Sequence, residues 1–138
     1  MKQPDLNDEK IAELLRDAKT IAVVGASPSA ERDSNAIMLY LAKIGYDVIP
    51  VNPNYEEIAG MKCYPTVTAA GRTVDIVDVF RRSEFVEEVA ADAVAAKAGT
   101  LWMQLGVINE AARDFASDNG LNVVMNKCIM VEHRRLIR

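Results

Sequence analysis

The chain has 138 residues, half of them apolar and about a quarter charged, a length that suits one domain able to bury roughly 68% of its unfolded surface without a disulfide or metal staple. Seven Gly and five Pro exclude a collagen-like or low-complexity chain, and three Phe, four Tyr and one Trp leave the core to Ala, Val, Ile, Leu and Met. The net charge of -4 excludes a general nucleic-acid coat, although four Lys or Arg against one Glu put +3 into Lys127–Arg138.

Met1–Asp8 is polar and acidic, unlike a signal peptide. No apolar run approaches the roughly 20 residues that span a bilayer. Cys63 and Cys128 are distant in sequence and form no metal-like cluster, so a cytoplasmic protein with reduced thiols is expected.

In chain order, Asp8–Lys19 places Ile11, Leu14, Leu15 and Ala18 at helical spacing. Thr20–Val24 is a short β-branched run, and Ser34–Ile44 a second amphipathic helix. Asp47–Val51 reads as the next strand. The connection Asn52–Thr73 holds Pro53, Gly60 and Pro65 and is expected to contain a short helix near Glu56–Ile58 or Thr66–Ala70. Val74–Val79, Thr100–Gln104 and Leu121–Met125 complete five strands, separated by helices over Ser83–Ala98 and Asn109–Asn119. Ser83 and Asn109 suit N-caps. Gly45, Gly99 and Gly120 each stand between a helix and a strand.

The alternation predicts an α/β fold: a Rossmann-like three-layer sandwich, one domain over residues 1–138, with a five-stranded parallel sheet in order 3-2-1-4-5 and helices on both faces. Ligands of such sheets bind beyond the carboxyl ends of the strands. Five segments meet there.

The first runs from Gly25 through Ala26, Ser27, Ser29 and Arg32 to Ser34. It reads either as a helix-start anion site with hydroxyls and a guanidinium, or as a plain strand-to-helix loop capped at Ser34. The three-glycine dinucleotide fingerprint and the Walker GK[S/T] are both absent. The second, Val51-Asn52-Pro53-Asn54-Tyr55, lacks the acid that holds a ribose in NAD sites, so NAD is disfavoured. Asn52 is either a nucleotide partner or part of a turn. The third, Phe80-Arg81-Arg82-Ser83, sets two guanidiniums beside a helix start, where arginine grips phosphate in bidentate fashion. The fourth, Gln104-Leu105-Gly106, offers an amide and open backbone, or a turn. The fifth, Asn126-Lys127-Cys128, places a thiol among cations, either as a buried small hydrophobe or as a reactive group. His133 is the lone histidine, no G-x-S-x-G elbow exists for it, and no catalytic constellation is apparent. Lys127, Glu132 and the arginines read as an ion-pair cluster tying down the C-terminus.

Taken together, Ile21–Ser27 with Glu31-Arg32, Val48–Pro53, Cys63-Tyr-Pro65, Val77–Arg82, Trp102–Gly106, Val124–Cys128 and Glu132–Leu136 run in order across nearly the whole chain. In these pieces the chain resembles the small stand-alone CoA-binding proteins of bacteria and archaea, related to the CoA-binding domain of the succinyl-CoA synthetase alpha subunit. The resemblance implies a Rossmann-like binder of coenzyme A. It implies Gly25, Ala26, Ser27, Arg32 and Ser34 around the diphosphate, and Val51, Asn52, Pro53 and Tyr55 by the adenosine. It implies Phe80, Arg81, Gln104, Leu105 and Gly106 along the pantetheine arm, with Asn126 and Cys128 near its end. It does not imply ligase activity, because the synthetase performs its phosphohistidine chemistry outside this domain.

The function expected on these grounds is that of a cytosolic binder of CoA or acyl-CoA without catalysis of its own and without nucleic-acid or membrane partners. Three alternatives stand beside it. These are thiol chemistry on CoA through Cys128, including a mixed disulfide, an interaction module docking through the basic tail, and a binder of another nucleotide cofactor.

Overall fold

A computed structural model describes residues 5–137. Met1–Pro4 and Arg138, which belong to the polar start and the basic tail of the sequence, lie outside the described residues. The elements run α1 (Asp8–Asp17), β1 (Thr20–Val24), α2 (Asp33–Lys43), β2 (Asp47–Val51), β3 (Glu57–Ile58), β4 (Met61–Lys62), β5 (Ile76–Val79), α3 (Val86–Ala95), β6 (Thr100–Met103), α4 (Glu110–Asp118), β7 (Asn122–Met125) and α5 (Ile129–Leu136). Short 3-10 turns at Thr68–Ala70 and Ser83–Phe85 precede β5 and α3.

The five long strands form one parallel sheet in the order β2-β1-β5-β6-β7. Counted along the chain this is 2-1-3-4-5, which corrects the expected 3-2-1-4-5. The third long strand pairs with β1, and β2 is an edge. Pro50 explains the choice. It has no N–H to give a ladder, and its carbonyl accepts from the Tyr64 N–H at 3.1 Å on the side away from β1. A full strand on that side would meet a missing donor. The segment around Tyr64 covers the edge instead, with the Asn52 N–H donating to the Tyr64 carbonyl at 2.9 Å.

Period-two alternation divides the sheet between two cores. Ala22, Val24, Ile49, Val51, Val77, Val79, Leu101 and Met103 face α3 and α4. Ile21, Val23, Val48, Ile76 and Trp102 face α1, α2 and α5. Helices lie on opposite faces because the chain moves toward β2 after β1 and toward β7 after β5. Right-handed crossovers in opposite directions need opposite faces. Trp102 is fully buried despite the low aromatic content, with its indole N–H donating to the Lys127 carbonyl at 2.8 Å.

Two elements differ from expectation. Glu56–Ile58 is no helix: β3 and β4 form a hairpin, turned by Ala59 and Gly60, both at positive φ. The short helix expected within Thr66–Ala70 is the 3-10 turn Thr68–Ala70. The tail is itself a helix, α5, which the sequence pattern does not announce. It buries Ile129 and Glu132 against α1 and α2. Arg135 binds Asp8 in two hydrogen bonds of 2.8 Å each and Glu132 in another of 2.8 Å, joining α5 to the start of α1.

The Arg135 hydrogen bond lowers the Asp8 pKa below its usual 3.8. A carboxylate with a depressed folded pKa stabilises above its unfolded pKa, and the contribution is lost as pH falls through the folded value. The protection factors of α5 amides are therefore expected to fall in acid below about pH 4. An Asp8→Asn variant should exchange faster already at pH 7 and lose that acid step. Equal acid sensitivity in both proteins would remove Asp8 as the cause.

Candidate functional site

A cleft of about 990 Å³ opens at the carboxyl ends of β1, β2 and β5. The reversed strand order sets its place. After β1 the chain turns toward β2, whereas after β5 it turns toward β6, so the loops diverge above the β1–β5 pair.

Three walls carry most of the sequence-derived residues. The loop after β1 and the start of α2 contribute Gly25, Ala26, Ser27, Arg32 and Ser34. The turn after β2 contributes Val51, Asn52, Pro53 and Tyr55, and the end of β5 contributes Phe80, Arg81 and Arg82. The fourth wall was not assigned from sequence. It comprises Phe85 just before α3, Glu88, Val89 and Asp92 on α3, and Pro65 and Thr66 from the long connection. The Asp92 carboxylate accepts from the Val67 and Thr68 backbone N–H groups at 2.7 and 3.0 Å, which pins that connection to α3. Pro65 belongs to the Cys63-Tyr-Pro65 motif. Nothing local marks the α3 residues, because only the packing of α3 turns them toward the cleft.

Gly25 has a structural reason besides ligand clearance. It sits at φ +89°, and a Cβ there would stand 2.5 Å from the Phe80 carbonyl oxygen. Bare backbone lets the chain leave β1 beside the end of β5. Asn52 is likewise a brace. Its amide NH2 donates to the Ala26 carbonyl at 2.9 Å, and its side-chain oxygen accepts from the Asn54 N–H at 2.9 Å. The buried Cys63 thiol donates to the Asn52 carbonyl at 3.5 Å, and burial pushes its pKa up.

The start of α2 is the anion-ready part. Arg32 is its N-cap and supplies no side-chain cap, and Ser34 is the second helical residue. The starts of α1, α4 and α5 are closed by Asn7, Asn109 and the side chain of Gln104, whereas those of α2 and α3 carry no side-chain cap. Helix-start N–H groups, the dipole and a guanidinium thus face one volume at α2. Ser34 lies inside the helix, so it does not serve as the N-cap that the plain-loop reading required. Arg81 stacks on the Phe85 ring, its guanidinium carbon 4.8 Å from the centroid, which holds the cation at the rim. Arg82 is largely exposed beside Glu84, 3.9 Å away.

Gln104, Leu105, Gly106, Asn126 and Cys128 are not among the residues lining this cleft. Buried Gln104 accepts from the Ile129 N–H at 3.0 Å, and Asn126, at φ +63°, accepts from the Gly106 N–H at 2.7 Å. Leu105 is 69% exposed. Cys128 is a half-buried free thiol at the N-cap of α5. Lys127, expected among the cations beside the bound ligand, does not line the cleft either. His133 lies between Tyr40 and Tyr46, with Nδ1 3.1 Å from the Tyr40 hydroxyl. Burial lowers its pKa, and a neutral ring accepts that hydroxyl's proton.

Residues 19–134 match the family model described as a CoA binding domain. The uncharacterized protein YneT of Bacillus subtilis is 38% identical over 124 residues, covering 90% of this chain and 92% of that protein. An ADP-forming acetate–CoA ligase of Archaeoglobus fulgidus is 35% identical over 74 residues, 54% of this chain but 11% of the ligase. A solved structure of a hypothetical protein from Pyrococcus horikoshii superposes with a TM-score of 0.94 at 42% identity, over 100% of this chain and 99% of that one. With its parallel sheet and cleft in the arrangement described above, the chain belongs to the CoA-binding domain family.

Proposed function

We propose that this protein binds coenzyme A or an acyl-CoA in the cleft above β1, β2 and β5, as a cytoplasmic binder rather than a catalyst. The observation that carries the reading is the start of α2, open to the cleft without a side-chain cap, with Arg32, Arg81 and Arg82 lining the same volume. A ligand rich in phosphate is what such a set of donors recognises. Pro53, Tyr55 and Pro65 give the apolar wall that an adenine ring needs. The turn after β2 offers no carboxylate to a nicotinamide dinucleotide's ribose, which favours CoA over NAD. Family membership and the partial match to an acetate–CoA ligase support the same cofactor.

Isothermal titration with CoA, dephospho-CoA and NAD tests this. CoA is expected to bind most tightly. Arg81→Ala and Arg32→Ala are each expected to weaken CoA about tenfold, the order of one charge-assisted hydrogen bond. Tight NAD binding with no measurable CoA binding would sink the reading.

A further inference from the structure

The geometry points to Asp92 as a positioning residue for the base of the bound nucleotide, holding Pro65 and Thr66 apart from Pro53 and Tyr55 so that a flat ring enters between them. This rests on the CoA reading above. Val51 and Tyr64 form a parallel bridge, so the chain leaves both residues side by side and in one direction. Pro53 and Tyr55 follow the first, Pro65 and Thr66 the second, and all four line the cleft. Paired strands stand roughly 4.8 Å apart. A ring with carbon contacts on both faces needs about 7 Å, twice a contact of about 3.5 Å. Two segments that continued the pairing would close on each other, so a slot for a base requires that they be splayed.

Each segment is held by its own set of hydrogen bonds. On the β2 side the chain turns back on Asn52, whose side-chain oxygen accepts from the Asn54 N–H at 2.9 Å. On the other side the hold comes from α3. Asp92 Oδ2 accepts from the Val67 N–H at 2.7 Å, and Oδ1 accepts from the Thr68 N–H at 3.0 Å and the Thr68 hydroxyl at 2.6 Å. The Val67 side chain is buried in the core beneath, and the Thr66 hydroxyl accepts from the Ala69 N–H at 3.0 Å. The wall is thus fixed at three consecutive residues and drawn toward α3. These bonds also remove a chemical difficulty. Asp92 lines a cleft that suits phosphate, where a free carboxylate repels the ligand. Its oxygens are engaged by three donors of the connection, which makes it a brace for the wall.

The test uses etheno-CoA, a CoA analogue with a fluorescent base, and acrylamide, a neutral quencher that does not compete for an anion site. In the wild-type complex the base is expected to be shielded from the quencher. In Asp92→Asn an amide group replaces one accepting oxygen. Its complex, measured at saturating protein, is expected to quench nearly as the free ligand does, with affinity reduced about tenfold. Thr68→Val removes only the hydroxyl bond, from a residue that does not line the cleft. It should move both readouts the same way by less, and it carries the test if Asp92→Asn does not fold. A base already exposed in the wild-type complex, or shielding unchanged in the variants, would overturn this inference and leave the CoA reading intact. Lost affinity with the base still shielded would do the same, because a merely structural role for Asp92 produces that result. Failure of both CoA and etheno-CoA to bind the wild type would overturn both.

Discussion

Gly25→Ala is expected to destabilise the protein by about 3 kcal/mol, one of the largest effects available from adding a single methyl group. Two costs combine. At φ +89° any side chain is strained, and the new Cβ would stand 2.5 Å from the Phe80 carbonyl oxygen, which belongs to backbone and cannot swing away. Gly45 separates the two contributions. It sits at φ +110°, and a Cβ added there would meet nothing within 4 Å, so Gly45→Ala should cost about 1 kcal/mol from backbone strain alone. Urea unfolding of both variants measures the difference. Equal losses would mean that the Phe80 contact yields easily. Because Gly25 also lines the cleft, its variant should lose CoA affinity even where it remains folded.

The second large effect concerns Asp78. It lies on β5 between Val23 and Trp102, fully buried, and neither carboxylate oxygen has a hydrogen-bond partner among the described residues. Burial raises its pKa well above the usual 3.8 and so favours the neutral acid in the fold. A folded pKa above the unfolded one means that the native state binds the extra proton. Stability is then fully present below about pH 4 and declines as pH rises toward the folded pKa. The slope approaches about 1.4 kcal/mol per pH unit for one proton. Asp78→Asn should remove that slope, so the variant gains on the wild type as pH rises above the unfolded value of about 4. Urea midpoints across that range decide it, and parallel pH profiles for the two proteins would show that the carboxyl is not neutral in the fold. Asp78→Val, which also removes the polar atoms, should exceed Asp78→Asn in stability at about pH 8.

Much of the architecture was legible in the chain. The β-branched runs at Thr20–Val24 and Asp47–Val51 are buried strands, and Asn109 marks a helix start as expected by accepting from the Ala112 N–H, whereas the Ser83 hydroxyl, the other expected cap, accepts from the Ile108 N–H instead. The strand order was legible too, but in one residue: Pro50 disfavours a full strand on the outer side of β2, and a pattern read as alternation alone passes over it. The helix α5 was hidden because its exposed turns are charged and its buried positions include Glu132, so no continuous apolar stripe announces it.

For the site, the sequence by itself determined the chemistry. A single Gly after the first strand, hydroxyls and arginines at strand ends, and no ribose acid after the second strand are the features from which a phosphate-rich ligand without the NAD pattern is expected. Local residue types dictate this because dipoles, guanidiniums and positive φ act over a few residues. The tertiary structure alone decided which strand ends share a cleft, what forms its fourth wall, and which polar groups are free. Asn52, Gln104 and Asn126 look like ligand partners in sequence, yet backbone takes the Asn52 amide NH2 and the side-chain oxygens of Gln104 and Asn126. Buried polar groups must find partners wherever the packed chain provides them, and those partners lie 20 or more residues away, where no local pattern reaches.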